Sequence, residues 1–167
     1  MGTIAGAQNI IAGLKAAGID LVASVPDINM LQLINLLYED KEIAHVPVGR
    51  EEEGIGICAG AYLAGKKTAL IMQNAGFLNS CNALTTTCLQ FQIPTLLLIY
   101  YAGDMGDRGF TTLGSVTEPA LQALGIRYTV LRKTDEIDET LCGAQILAED
   151  SKKPVAVLLT KNVLGVK

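Results

Sequence analysis

The densest group of side chains able to do chemistry is Arg50-Glu51-Glu52-Glu53, followed by Gly54-Ile55-Gly56-Ile57-Cys58-Ala59-Gly60-Ala61-Tyr62. Adjacent carboxylates can complement the positive end of a helix or exchange a proton with a bound group. The stretch from Gly54 to Gly65 carries no charge and many small side chains. That composition predicts a helix buried on all sides, whose glycines let something approach closely. On a helical projection Glu52 shares a side with Ile55, Gly56, Ala59 and Tyr62, so its carboxyl heads a packed stripe. A carboxyl group in such a place needs a partner or a proton, and either condition suits proton handling. Glu51 and Glu53 are read as acids that complement the helix terminus, worth roughly 0.3 to 1 kcal/mol each.

Other candidates sit in loops. Gln73 and Asn74, in Gln73-Asn74-Ala75-Gly76-Phe77-Leu78-Asn79, are carboxamides at the end of an apolar run and can donate and accept at once. Gly76 lends freedom to a loop that opens a helix, where free N–H groups favour anions; an Asn-capped turn explains the same residues. Pro26-Asp27-Ile28-Asn29 follows an earlier apolar run, and Asp27 suits a helix N-cap. Gly103-Asp104-Met105-Gly106-Asp107-Arg108-Gly109 reads as a mobile loop, in which Arg108 either binds an anion or stands in solvent. His45, the single histidine, lies in a short apolar run and reads as structural. One histidine excludes Ser-His-Asp and Cys-His machinery and any His-rich metal site. No P-loop or GxGxxG is present. Cys58, Cys81, Cys88 and Cys142 have no metal-ligand or CxxC spacing and read as reduced core residues of a cytoplasmic protein.

These residues are punctuated by alternating elements. Strands are expected over 20–25, 44–48, 68–73, 95–101, 128–131 and 155–159, with helices over 4–17, after Asp27, and over 51–64, 78–89, a segment ending near Leu124, and 137–148. The alternation predicts a three-layer α/β/α, doubly wound, mainly parallel six-stranded sheet, with residues 1–167 forming one domain. Ligands of such sheets bind beyond the carboxyl ends of the strands, at the switch point. Half of the 167 residues are apolar and 18% are charged, which excludes disorder. The net charge of −4 without a basic block excludes nucleic acid as a partner. The longest apolar run, Pro94 to Ala102, falls far short of the roughly 20 residues of a membrane span. The first residues lack the basic and apolar regions of a secretion signal.

The spacing of Glu52 to Tyr62 through Cys58-Ala59-Gly60-Ala61 resembles the pyrimidine-binding domain of thiamine-diphosphate-dependent decarboxylases. Val25-Pro26-Asp27, Arg50-Glu51-Glu52-Glu53-Gly54, Met72-Gln73-Asn74 and Glu118-Pro119-Ala120-Leu121 extend the likeness over nearly the whole chain. The resemblance implies that Glu52 is catalytic, hydrogen-bonding N1′ of the cofactor's aminopyrimidine and favouring the imino tautomer that takes the proton from thiazolium C2. It implies cofactor contacts from Glu52, Pro26, Gln73, Asn74 and Gly76, and substrate contacts from Asp27, Asn29, Asn74, Asn79 and Arg108. Relatives often read Gln-Asn-Ser-Gly-Leu-Gly-Asn where this chain has Gln73-Asn74-Ala75-Gly76-Phe77-Leu78-Asn79, a departure that bears on substrate identity. The family's diphosphate-binding domain carries Gly-Asp-Gly with an Asn downstream, whereas Gly103-Asp104-Met105 breaks the triplet and 128–133 hold no Asn. A hetero-oligomer is therefore expected, with thiamine diphosphate bound across the interface to a β subunit that holds Mg²⁺. No metal ligand is expected on this chain. The implied substrate is a small anionic 2-oxo acid, 3-sulfopyruvate ahead of phosphonopyruvate. A non-catalytic doubly wound binding module is the alternative.

Overall fold

A computed structural model describes residues 1–166. The strands are β1 (Leu21–Ser24), β2 (Ala44–Pro47), β3 (Thr68–Gln73), β4 (Leu96–Tyr100), β5 (Arg127–Leu131) and β6 (Val155–Leu159). They form one sheet in the order β2-β1-β3-β4-β6-β5, and every neighbouring pair is parallel. Helices α1 (Ile4–Ala16), α2 (Leu31–Glu39), α7 (Ile137–Ser151) and α8 (Lys161–Leu164) lie on one face. On the other lie α3 (Glu51–Leu63), α4 (Asn74–Asn79), α5 (Cys81–Ala83) and α6 (Thr111–Ala123).

The continuous apolar strands follow from burial on both faces. Along β4, Leu96, Leu98 and Tyr100 enter one core while Leu97 and Ile99 enter the other. Each fully buried leucine or isoleucine contributes about 1.5 to 3 kcal/mol relative to exposure. From β1 the chain winds outward to β2 and then returns past β1 to β3. The carboxyl ends of β1 and β3 are therefore neighbours whose following helices, α2 and α4, leave to opposite faces. This is the switch point, and it opens the crevice.

Several expectations are corrected by the structure. No loop separates β3 from the next helix: α4 starts at Asn74 itself, and the helix expected over 78–89 is broken into α5 and a π-helical turn, Leu84–Leu89. Thr85 and Thr86 direct their hydroxyls back to the carbonyls of Cys81 (2.7 Å) and Asn82 (2.9 Å), a competition that loosens the regular helical ladder. Asp27 does not cap α2. Its Oδ1 accepts from the backbone N–H of Asn29 (2.8 Å) and Met30 (3.2 Å), closing a turn ahead of the helix, which begins at Leu31. Helix α3 is not buried on all sides: Gly54, Ile55, Cys58 and Ala59 face the sheet, whereas Gly56, Gly60 and Leu63 are exposed. Of the cysteines, Cys58 and Cys88 are core residues, while Cys81 and Cys142 are only half-buried. All four thiols are free.

His45 on β2 is held inside the fold. Its Nε2 lies 2.8 Å from the hydroxyl of the fully buried Ser24, and the Tyr38 ring meets it edge-on with centroids 4.6 Å apart. Burial lowers its pKa below the usual 6.5. Between the lowered folded value and 6.5, unfolding takes up a proton, so acidification stabilises the unfolded chain. The stability contributed by neutral His45 is complete above about pH 6.5 and is lost as the pH falls below it. In urea titrations at pH 7.5 and pH 5.5, the midpoint of the wild-type chain should drop more on acidification than that of His45→Gln, which cannot take up the proton.

Candidate active site

The three acids that open α3 are given three different tasks. Glu53 Oε2 accepts from the backbone N–H of Gly49 (3.0 Å) and Arg50 (3.3 Å), occupying donors that the helix start leaves free. Arg50 stands at the cap position but has no side-chain acceptor to return the bond. Glu51 packs onto α4, where a Cβ on Gly76 would overlap its carboxyl group. Gly76 is therefore required for space rather than for loop freedom, and it lies within α4. Glu52 is half-buried, and its Oε1 accepts from Asn79 Nδ2 at 2.7 Å. Its Oε2 is shut off from water and has no hydrogen-bond partner. A carboxylate with one oxygen held and the other shielded and unpaired is arranged for a donor that the chain itself does not supply.

The carboxyl end of β3 supplies the second part of the site. Gln73, its last residue, donates through Nε2 to Asp27 Oδ2 at 3.0 Å, spanning the crevice between β1 and β3. Tyr100, at the end of β4, faces the same region: burial, then the Asp107 and Asp27 carboxylates, push its hydroxyl up to about 12. It therefore stays a protonated donor at neutral pH. Pro26 is exposed beside Asp27, and Asn29 is half-buried, with its carbonyl accepting from the Gly2 N–H at 3.1 Å.

Asn74 is anchored through its amide nitrogen, while its buried Oδ1 has no partner among the described residues. Its side chain is fully buried, and its Nδ2 donates to the Ala102 carbonyl at 2.8 Å and to Thr117 Oγ1 at 2.9 Å. Both amide hydrogens are thereby spent inside the chain, fastening the end of β3 to the segment after β4 and to α6. The segment read as a mobile loop is likewise anchored. Arg132 grips Asp104 with two bonds of 2.6 and 2.9 Å, Asp107 Oδ2 accepts from the Gly103 N–H at 3.0 Å, and Lys161 donates to the Gly106 carbonyl at 2.9 Å. The Arg132 guanidinium also holds the Asp104 carboxyl below its usual range. Arg108 is exposed on that loop and, among the described residues, makes no ion pair.

The sequence candidates thus form two hydrogen-bonded pairs, Glu52 with Asn79 and Asp27 with Gln73, the second joined by the Asn29 backbone N–H, while Asn74 and Arg108 are joined to neither. Sequence reasoning missed the cluster that fixes α6, in which Glu118 accepts from Tyr101 and Tyr128 at 2.7 Å each. Its members come from three elements, so no spacing signals it. Among the described residues no group of His, Cys, Asp or Glu could hold a metal ion. Among the described residues no helix is long and apolar enough to cross a membrane.

The structure is a doubly wound parallel α/β domain with a half-shielded glutamate at a helix start near the switch point. The chain belongs to the thiamine pyrophosphate enzyme family, matching its N-terminal TPP binding domain over residues 4–102. Within the family it is 41% identical to sulfopyruvate decarboxylase subunit alpha of Methanococcus maripaludis, over 91% of this chain and 92% of that one. It is 52% identical to the subunit of the same name from Methanocaldococcus jannaschii over 103 residues, 62% of this chain and 61% of that one. A longer relative, sulfopyruvate decarboxylase of Methanosarcina acetivorans, is 33% identical over 78% of this chain, which spans 34% of its length. In fold the chain is similar to 2-oxoglutarate:ferredoxin oxidoreductase from Magnetococcus marinus, with a TM-score of 0.74 and 16% identity, covering 98% of this chain and 29% of that one.

The paired donation from Asn74 yields a stability test. Asn74→Ala should cost about 2 to 3 kcal/mol in urea unfolding, from lost hydrogen bonds and a small cavity. Asn74→Asp, nearly isosteric, should cost more, because it turns a carboxylate oxygen toward the Ala102 carbonyl.

Proposed function

We propose that this chain is the pyrimidine-binding subunit of a thiamine-diphosphate-dependent decarboxylase that converts 3-sulfopyruvate to sulfoacetaldehyde and CO₂. The observation that carries the reading is Glu52, with Oε1 held by Asn79 and Oε2 buried without a partner. That orphaned oxygen fits the aminopyrimidine of the cofactor, whose N1′ would share a proton with it. When bound, thiamine diphosphate supplies the nucleophilic carbon and the electron sink that loss of CO₂ from a 2-oxo acid requires. Glu52 would hold the proton at N1′ through its shielded Oε2, where a charge-assisted hydrogen bond is strengthened. Gly76 makes room for Glu51 beside Glu52, and the Asp27–Gln73 bridge is assigned to the floor on which the ring would rest. Pro26 stands at its rim. Asn29 and Arg108 stand on the loops that rise at the carboxyl ends of β1 and β4 and are assigned to the anionic substrate.

The domain is half of the catalytic unit in this reading. Relatives of the same length are named subunit alpha, and the chain aligns with a third of the longer decarboxylase. A β subunit carrying the diphosphate-binding domain and Mg²⁺ is assigned the rest, with the reaction in the cytoplasm, where the four free thiols stay reduced. The complex of the two subunits with Glu52→Gln should assemble and yet lose turnover by about 100-fold or more, as expected for removal of a proton-handling group. Release of sulfoacetaldehyde measures this, and near-normal turnover removes the mechanism. A kcat/KM larger for phosphonopyruvate than for 3-sulfopyruvate would reassign the substrate while keeping the chemistry.

A further inference from the structure

The contact between Asn79 and Glu52 joins the end of α4 to the start of α3, two successive helices on one face of the sheet with β3 between them in the chain. Glu52 lies in the first turn of α3, on a long side chain with several rotamers, and a half-buried carboxylate there has no reason of its own to adopt one of them. Asn79 is the last residue of α4, whose placement is over-determined. Its first residue is fastened by Asn74, its middle is pressed against Glu51 at Gly76, and the Ser80 hydroxyl following it bonds back to the Gly76 carbonyl. The Asn79 side chain is itself exposed, so its placement rests on the anchored helix that carries it. Its Nδ2 reaches Glu52 Oε1 at 2.7 Å, and the other carboxylate oxygen is left unpaired and shielded.

We propose that Asn79 is a positioning residue for Glu52: it takes up Oε1 and so selects Oε2 as the oxygen presented to the cofactor. This rests on the reading of Glu52 as the group at N1′, and it replaces the substrate contact expected for Asn79 from the sequence. A carboxamide suits the task. It donates a hydrogen bond without carrying charge, so it orients the carboxylate without competing for the proton, as an acid would, or cancelling the charge, as a lysine would. Groups that orient a reacting side chain in this way typically matter by about 10- to 100-fold.

Three readouts test the assignment. In the full chain without cofactor, Glu52→Ala should move the Asn79 side-chain NH₂ resonances toward those of a free carboxamide in ¹⁵N-labelled protein; unmoved resonances overturn the contact. In the assembled complex with thiamine diphosphate but no substrate, Asn79→Ala should slow exchange of the C2 proton for deuterium by about 10- to 100-fold. It should lower kcat by a similar factor and leave KM for 3-sulfopyruvate within about twofold. Asn79→Asp, which keeps the shape and adds a competing carboxylate, should slow exchange further. In a Glu52→Gln background Asn79→Ala should add almost nothing, because the two residues act as one unit. A raised KM with normal exchange, or effects that multiply with those of Glu52→Gln, overturns the proposal. If Glu52→Gln itself leaves exchange unchanged, the reading of Glu52 is what fails, and that result is separate from anything Asn79 does.

Discussion

A sheet buried on both faces leaves no solvent-facing side for its connections, so every parallel neighbour has to be reached by a helix that crosses one face or the other. That constraint sets almost everything else in this protein. Because β1, β3, β4 and β6 are sandwiched between two apolar cores, the winding must reverse somewhere, and it does so between β1 and β3. The backbone groups at the carboxyl ends of those two strands then lie at the floor of a crevice, with α2 and α4 departing in opposite directions. The residues assigned to the site follow the strands at that one end of the sheet.

Within the crevice, specificity of role comes from small differences in surroundings rather than from residue type. Glu51, Glu52 and Glu53 are chemically identical and adjacent. One meets a glycine, one meets an amide donor, and one meets two backbone N–H groups. Of the three, only Glu52 has an oxygen that is buried and has no partner. A helix turns through about 100° per residue, and that rotation alone sends three neighbouring carboxylates to three environments. The same economy operates on the carboxamides. Asn74 spends its amide hydrogens inside the fold, whereas Gln73, one residue earlier and still on the strand, reaches across to Asp27.

The rigidity around the site is concentrated in α4 and the loop after β4. Gly103 and Gly114 approach so closely that a Cβ on either would strike the backbone of the other segment, and Gly103 also sits at a φ of +80°. The Arg132–Asp104 pair and the Lys161 donation fasten the same loop to the ends of β5 and β6. A loop with several glycines is free in the unfolded chain, and here that freedom serves tight backbone contact instead.

The order of strands and the parallel sheet with its two cores were legible in the sequence, because they depend on local periodicity, whereas Glu52 stood apart from its neighbours through the spacing to Tyr62 that carries the family resemblance. Two strands were expected at their observed limits, 68–73 and 155–159, since each is an apolar run ended by polar or helix-starting residues. What the tertiary structure alone decided was how polar groups pair across elements. That Asn74 turns inward, that Gly76 yields space to Glu51, that Asn79 bonds to Glu52, and that Glu118 joins Tyr101 to Tyr128 are all contacts between residues distant along the chain. Local pattern carries no record of them. Hydrogen bonding depends on distance and direction to within a fraction of an ångström, and those are set only when the two cores close and bring the separate elements into register.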